Sequence, residues 1–270
     1  MTATVSAPAQ RPAWRSALSQ AGISVLLGLL LPAAIIALWE VAARAQWTDS
    51  QILVPPSAVL ATIIEFGQSG ELLSDIVAST ARVLVGFAIG SALGFAFGIA
   101  TGLHVRVAAI FEPTFHVLRQ IPVIAWVPLL VLLAGFGEGF KIATIAIAAF
   151  FPIALNTLDG VRSVPSALID AGRALCFSQR DILLRIIWPS ALPSIMSGLR
   201  LSSGRAWMLV VAAELVASTT GIGHRMDWGR QLFQIDVVLM GVLVTGAIGL
   251  LLDLLFRAFA DRATAWRQMR

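Results

Sequence analysis

From residue 23 onward the chain returns repeatedly to apolar runs about as long as a bilayer is thick. They cover residues 23–43, 83–103, 121–136, 142–158, 195–216 and 237–259. About 20 consecutive apolar residues in a helix cross the roughly 30 Å of hydrocarbon, where no water can satisfy backbone N–H and C=O groups. Six such runs in 270 residues leave little sequence for a soluble core. Charged residues make up 13% of the chain, against about 25% in soluble domains. An ordinary soluble domain, a disordered tail and a disulfide scaffold are excluded, and the single Cys176 can form no intrachain bridge. The expected fold class is all-α: a polytopic membrane bundle of about six transmembrane helices.

Orientation follows from Lys and Arg in the connecting segments. With the N-terminus in the cytoplasm, 12 of them fall in inside segments and 3 in outside segments. The split predicts both termini inside, and it reads the net charge of +4 as a positive-inside bias. Nucleic-acid binding would need a clustered basic patch, whereas these arginines are spread over several loops. The first twenty residues hold no apolar core. Residues 1–21 therefore read as a cytoplasmic tail before an uncleaved anchor, with 22–260 as the membrane domain and 261–270 as a second cytoplasmic tail. In the first outside loop, Val59, Leu60, Ile63, Ile64 and Phe66 follow Pro55-Pro56-Ser57 at near-helical spacing, which predicts a short amphipathic helix.

In the second run, Gly86, Gly90, Gly94, Gly98 and Gly102 recur every fourth residue. Residues four apart stack on one face, so this helix has a ridge almost without side chains. A neighbouring helix, from this chain or another, can approach closely there.

The longest inside segment, 160–189, reads as two short helices around a sharp turn. Pro165 suits a helix start. Ala167, Leu168, Ala171 and Leu175 make an apolar stripe, with Asp170 and Arg173 facing elsewhere. The pattern breaks at Cys176-Phe177. Ser178 with Asp181 resembles a capping box, and Pro189 and Pro193 end the segment before the fifth span. The stretch Asp170-Ala171-Gly172, then Cys176, then Ile186-Ile187-Trp188-Pro189 resembles the EAA loop of ABC importer permeases. That motif runs Glu-Ala-Ala, three residues, Gly, nine residues, Ile, any residue, Leu-Pro. The spacing holds throughout, with four departures: Asp170 for Glu, Gly172 for Ala, Cys176 for Gly and Trp188 for Leu. A non-Gly residue in a left-handed turn costs roughly 1 kcal/mol. The resemblance extends over about residues 50–260, through Arg82-Val83-Leu84-Val85-Gly86-Phe87, Pro128-Leu129-Leu130, Phe151-Pro152-Ile153, Gly198-Leu199-Arg200 and Ala212-Ala213-Glu214 among others. These look like the nitrate, sulfonate and taurine branch of that family.

The resemblance implies a non-catalytic permease subunit of a bacterial inner-membrane importer. Two copies would form the pathway. Two partner ATPases, using ATP and Mg that this chain does not bind, would each receive the helix around 167–175. A binding protein outside would deliver a small anion such as an aliphatic sulfonate, taurine or nitrate. The implied coupling residues are Ala167, Leu168, Asp170, Ala171, Gly172, Leu175, Cys176 and Pro189.

Charges at membrane depth are costly and face a bundle interior or water. Arg200, Arg205 and Glu214 lie on the fifth span. Arg205 and Glu214 are about 180° apart around a helix and cannot pair within it. They are the candidate pathway residues, although an interhelical hydrogen-bonding role for Arg205 competes. Glu40 and Asp253, near span ends, are explained by interfacial water. An intramembrane enzyme would need a nucleophile with a base, or metal ligands. His104, His116 and His224 all fall in loops, and metal-ligand spacing is absent. The run from Gly135 to Lys141 mimics a phosphate loop but lacks its spacing and the following Ser or Thr. The rival class is an ion-coupled secondary transporter acting as a dimer; such carriers usually show internal repeats and longer chains.

Overall fold

The computed structural model describes residues 13–47 and 53–265. Most of the expected tail 1–21 and half of the tail 261–270 lie outside the described residues. The first helix already begins at Ala13, and the last runs to Ala263. Among the described residues every regular element is helical.

The chain forms two units, residues 1–61 and 62–270. The first contains α1 (Ala13–Arg44), which includes the first expected span, and the start of α2 (Pro56–Gln68). Within it, Glu40 accepts hydrogen bonds from the backbone N–H of Ser57 at 3.0 Å and from its hydroxyl at 2.8 Å, while Arg44 pairs with the same carboxylate at 2.5 Å. A carboxylate thus satisfies an orphan donor in the first turn of α2. The expected amphipathic helix is present.

The second unit is built around α3 (Glu71–Leu103), α6 (Glu138–Arg162) and α9 (Trp188–Val216). α6 is the central helix. Half of its apolar window is buried, against 28% for α3. The glycine ridge of α3 meets α6 of the same chain along its whole length. A Cβ at Gly90 would run into the Ala146 carbonyl oxygen. One at Gly94 would lie 2.6 Å from the Phe150 oxygen, and one at Gly98 2.6 Å from the Ala154 oxygen. Gly86 and Gly102 face Ile145 and Val161 in the same way. On its other side α6 meets α9, where Gly160 lies against Ala191 and Ser194, and Gly198 against Asn156. The last helix, α11 (Ile235–Ala263), rests on α9. The Trp207 indole donates to the Thr245 carbonyl at 2.9 Å, and Gly249 lies beneath the ring.

The third expected span differs. Residues 104–120 were expected as a connection, but Val105–Leu118 is a helix, α4, set off from α3 by extended His104. Its Phe115 stacks on Phe97 at 4.9 Å and packs against Phe150 and Phe151. After residues 119–122 a 3-10 turn (Val123–Trp126) leads into α5 (Val127–Ala134), and the two halves meet at 92°. The cause is local: Arg106, Glu112 and Pro113 dilute the apolar signal of α4, and Pro122 and Pro128 forbid a continuous helix. Among the described residues, four helical segments are long and apolar enough to cross a membrane (α3, α6, the segment ending in α9, and α11), and the bent pair makes a fifth if counted as one span.

Backbone contact at Gly90 leaves no room for a side chain. Gly90→Ala is expected to cost about 1–3 kcal/mol through overpacking, whereas Gly246→Ala, with open space around it, stays near neutral. Thermal unfolding of the detergent-solubilised variants checks the contrast.

Candidate functional site

Three places in the second unit carry the residues singled out by sequence. The first is the turn between α6 and α9. α7 (Ser166–Ala174) starts after Pro165 and is held from below by Ile169 and by buried Gly172, which lies against the end of the Ile186 side chain. Its C-terminus closes as a Schellman motif. The Phe177 N–H donates to the Gly172 oxygen at 3.0 Å and the Cys176 N–H to the Arg173 oxygen at 2.9 Å. Cys176 itself has φ 57°, so it adopts the left-handed conformation that glycine favours. The turn survives the departure from glycine.

Ser178 then caps α8 (Gln179–Ile182). Its Oγ accepts from the Asp181 N–H at 3.2 Å and donates to the Asp181 carboxylate at 2.6 Å. A π-turn, Leu183–Ile187, joins α8 to α9, with the Trp188 N–H bonded to Leu183 oxygen. Pro189 has no N–H to offer the preceding turn, which explains the wider winding. Pro193 was expected to end the loop but sits inside α9. Trp188 packs edge-on against Phe95 of α3 at 5.6 Å. Ala167, Leu168, Asp170, Ala171 and Leu175 all face outward, with Leu168 48% and Leu175 69% exposed. A rigid nine-residue helix therefore presents an uncovered apolar stripe.

The second place lies at the other end of α6 and α9. Glu214 is 1% exposed and fully engaged. Arg82 reaches it at 2.7 Å, the Ser79 hydroxyl at 2.8 Å, and the Gly223 N–H at 2.9 Å. Arg82 also grips both oxygens of Glu138, at 2.7 and 3.0 Å, and donates to the Thr220 carbonyl at 2.8 Å. Lys141, 3% exposed, pairs with Glu138 at 2.6 Å. Asp75 accepts from the Gly221 N–H and from Arg225, fixing the start of α10 (Ile222–Gln231). At 1.5 Å per residue α3 is about 50 Å long. It exceeds the hydrocarbon by roughly 13 residues, and its charged residues all lie in its first twelve. The cluster is therefore toward one membrane surface, with Glu214 buried and fully hydrogen-bonded at its centre.

The third place is the open face of α9. Leu201, Gly204, Arg205 and Met208 are exposed there. Nine residues separate Arg205 from Glu214, so it lies about 14 Å deeper. Arg200 is not alone: Asp253 of α11 holds it through two hydrogen bonds of 2.7 and 2.8 Å. Sequence reasoning missed the Arg82–Glu214 pairing, α10, and the cavity beside Arg205. Arg82 and Glu138 lie toward the N-terminal ends of α3 and α6 and Glu214 toward the C-terminal end of antiparallel α9, and that placement was the available signal.

The family described as "Binding-protein-dependent transport system inner membrane component" matches residues 86–265. The chain is 37% identical over 240 residues to the putative aliphatic sulfonates transport permease protein SsuC of Bacillus subtilis (strain 168), covering 89% of this chain and 87% of the relative. It is 35% identical over 262 residues to the taurine transport system permease protein TauC of Escherichia coli (strain K12), covering 95% and 94%. Among solved structures, a chain of the MetNI methionine ABC transporter in an inward-facing conformation superposes with a TM-score of 0.61 at 17% identity, covering 72% of this chain and 96% of that one.

Two variants separate anchor from surface. Arg82→Met strands the buried Glu214 and is expected to cost about 3–5 kcal/mol, while Arg205→Gln stays within about 0.5 kcal/mol, both read by thermal unfolding. At the turn, Cys176→Gly relieves the left-handed backbone and raises stability by up to about 1 kcal/mol. Cys176→Val, β-branched at positive φ, lowers it.

Proposed function

The chain belongs to the binding-protein-dependent transport system inner membrane component family, and we propose that it is the permease half of an ATP-driven importer for a small oxyanion. It is a multi-pass membrane protein and a transporter component. The observation that carries the finer reading is α7: a short helix closed at its C-terminus by the Schellman motif, its stripe of Leu168, Ala171 and Leu175 uncovered. Burying one leucine is worth about 1.5–3 kcal/mol, so the stripe favours a partner cleft. A partner ATPase supplies that cleft in this reading, with Asp170 at its rim and Gly172, Cys176 and Pro189 shaping the turn. ATP and Mg belong to the ATPase, and this chain performs no chemistry.

Closure of the ATPases then moves α7 and the helices behind it as a rigid body. The arginine distribution supports α7 and both termini in the cytoplasm. Two copies of the chain line the route, with the open face of α9 and Arg205 toward it, and the apolar flank of α11 lies against lipid. The cargo arrives from an extracytoplasmic binding protein. Its anionic character is supported by the relatives named for aliphatic sulfonates and taurine and by Arg205, which has no hydrogen-bond or ionic partner among the described residues.

The test is reconstitution of the chain with its ATPase and binding protein in proteoliposomes. Uptake is expected to follow ATP and to ignore a proton gradient. Asp170→Arg is expected to leave ATP hydrolysis running while uptake falls roughly tenfold, the loss of about 1.4 kcal/mol of coupling. A photo-crosslinker at Asp170 or Leu175 is expected to capture the ATPase. Normal uptake in the charge-reversed importer, or no crosslink from either position, would sink the coupling role.

A further inference from the structure

Resting on the importer reading above, we infer that the permease itself carries an oxyanion subsite, formed by Arg119 and Arg205 at the break in the bent helix pair. The two arginines line one cavity of about 310 Å³, together with Gln120, Pro152 and Asn156. They come from different elements: Arg119 follows the last turn of α4, and Arg205 projects from the open face of α9. Among the described residues neither guanidinium has a carboxylate or other hydrogen-bond partner. By contrast, Arg82 is held by two glutamates and Arg200 by Asp253.

Three physical arguments converge on an anion. Two unpaired positive charges beside one cavity below a membrane surface repel each other and call for a counter-charge. Guanidinium is a planar fork that matches an oxyanion through two parallel hydrogen bonds. Non-helical backbone at depth, here residues 119–122, is tolerated only where protein buries it or it borders a water-filled cavity. The pocket offers donors on both sides and no carboxylate. It is also open on one side, as a station for cargo in transit must be. A phospholipid headgroup presents the same oxyanion chemistry, so the test must separate the two sources.

The full chain is placed in phosphatidylcholine nanodiscs and its arginines are labelled with phenylglyoxal, read by peptide mass spectrometry. Ethanesulfonate is the probe, and sodium chloride of equal ionic strength the reference. Labelling of Arg119 and Arg205 is expected to slow about threefold, as occupancy of about two-thirds gives. Arg106, exposed at the start of α4, keeps its rate. Arg119→Gln is expected to abolish protection of Arg205, and Arg205→Gln that of Arg119. Unchanged labelling in the wild-type chain, or equal slowing at Arg106, overturns the subsite. Protection produced by phosphatidylglycerol in the nanodisc without ethanesulfonate assigns the cavity to a lipid headgroup and also overturns it. ATP-driven uptake without protection sinks the subsite and leaves the importer. Protection without ATP-driven uptake leaves the subsite and sinks the importer.

Discussion

The contact on which the second unit depends is backbone against backbone, where the glycine ridge of α3 lies on the carbonyls of α6. Lipid tails are as apolar as leucine, so burying apolar side chains gives two helices in a bilayer little reason to associate. What remains is dispersion and weak polar contact, and both fall off steeply with distance. Removing side chains at Gly86, Gly90, Gly94, Gly98 and Gly102 allows close approach over four turns. α6 answers with small residues of its own, Ala146, Ala149 and Ala154, and continues the principle on its far side, where Gly160 and Gly198 admit α9. Three helices are thus fixed as one slab.

The ionic cluster closes one end of that slab. Arg82, Glu138, Glu214 and Lys141 join α3, α6 and α9 through charge-assisted hydrogen bonds, and Ser79 and Asp75 add the N-terminus of α10. A buried pair of this kind contributes little against a hydrophobic substitute, but breaking it by removing one partner is severe. Its value here is geometrical. Glu214 must sit where Arg82 and the Gly223 N–H both reach it, which sets the helical register of α9 and so decides that Arg205, nine residues away, faces outward.

What could be read from sequence was what repeats locally. The four-residue glycine period, the Ser178–Asp181 cap and the turn at Cys176 each need only a dozen residues of context. The pairing of Arg82 with Glu214 bridges 132 positions, and no spacing rule reaches that far. Glu214 was therefore expected as a pathway residue simply because it interrupts an apolar run. The same blindness covered α4 and α10. Both are helices whose polar residues break the apolar pattern, and tertiary partners stabilise them instead: the phenylalanine cluster for α4, and Asp75 and Val237 for α10. Sequence placed Arg205 among the charges of the fifth span, but the cavity needed Arg119 as well, and that residue comes from a break whose geometry no periodicity reveals.

A slab this tightly packed does not bend in the middle, so motion has to enter at its edges. At one edge α7 sits on Ile182 and Ile186, which belong to the same continuous winding that becomes α9. In the proposed importer, a displacement of α7 would reach Arg205 along a single helix, over the roughly 26 Å that seventeen residues span. The Schellman closure and the Ser178 cap leave little slack in the turn, and the π-turn is the one irregular element along that line. Opposite Arg205, Arg119 follows α4, whose Phe115 packs on α3 and α6 of the slab and which a 92° break divides from α5. In the proposed importer, a push from α7 that changed the gap between the two arginines would let the site hold an anion in one position and release it in the other.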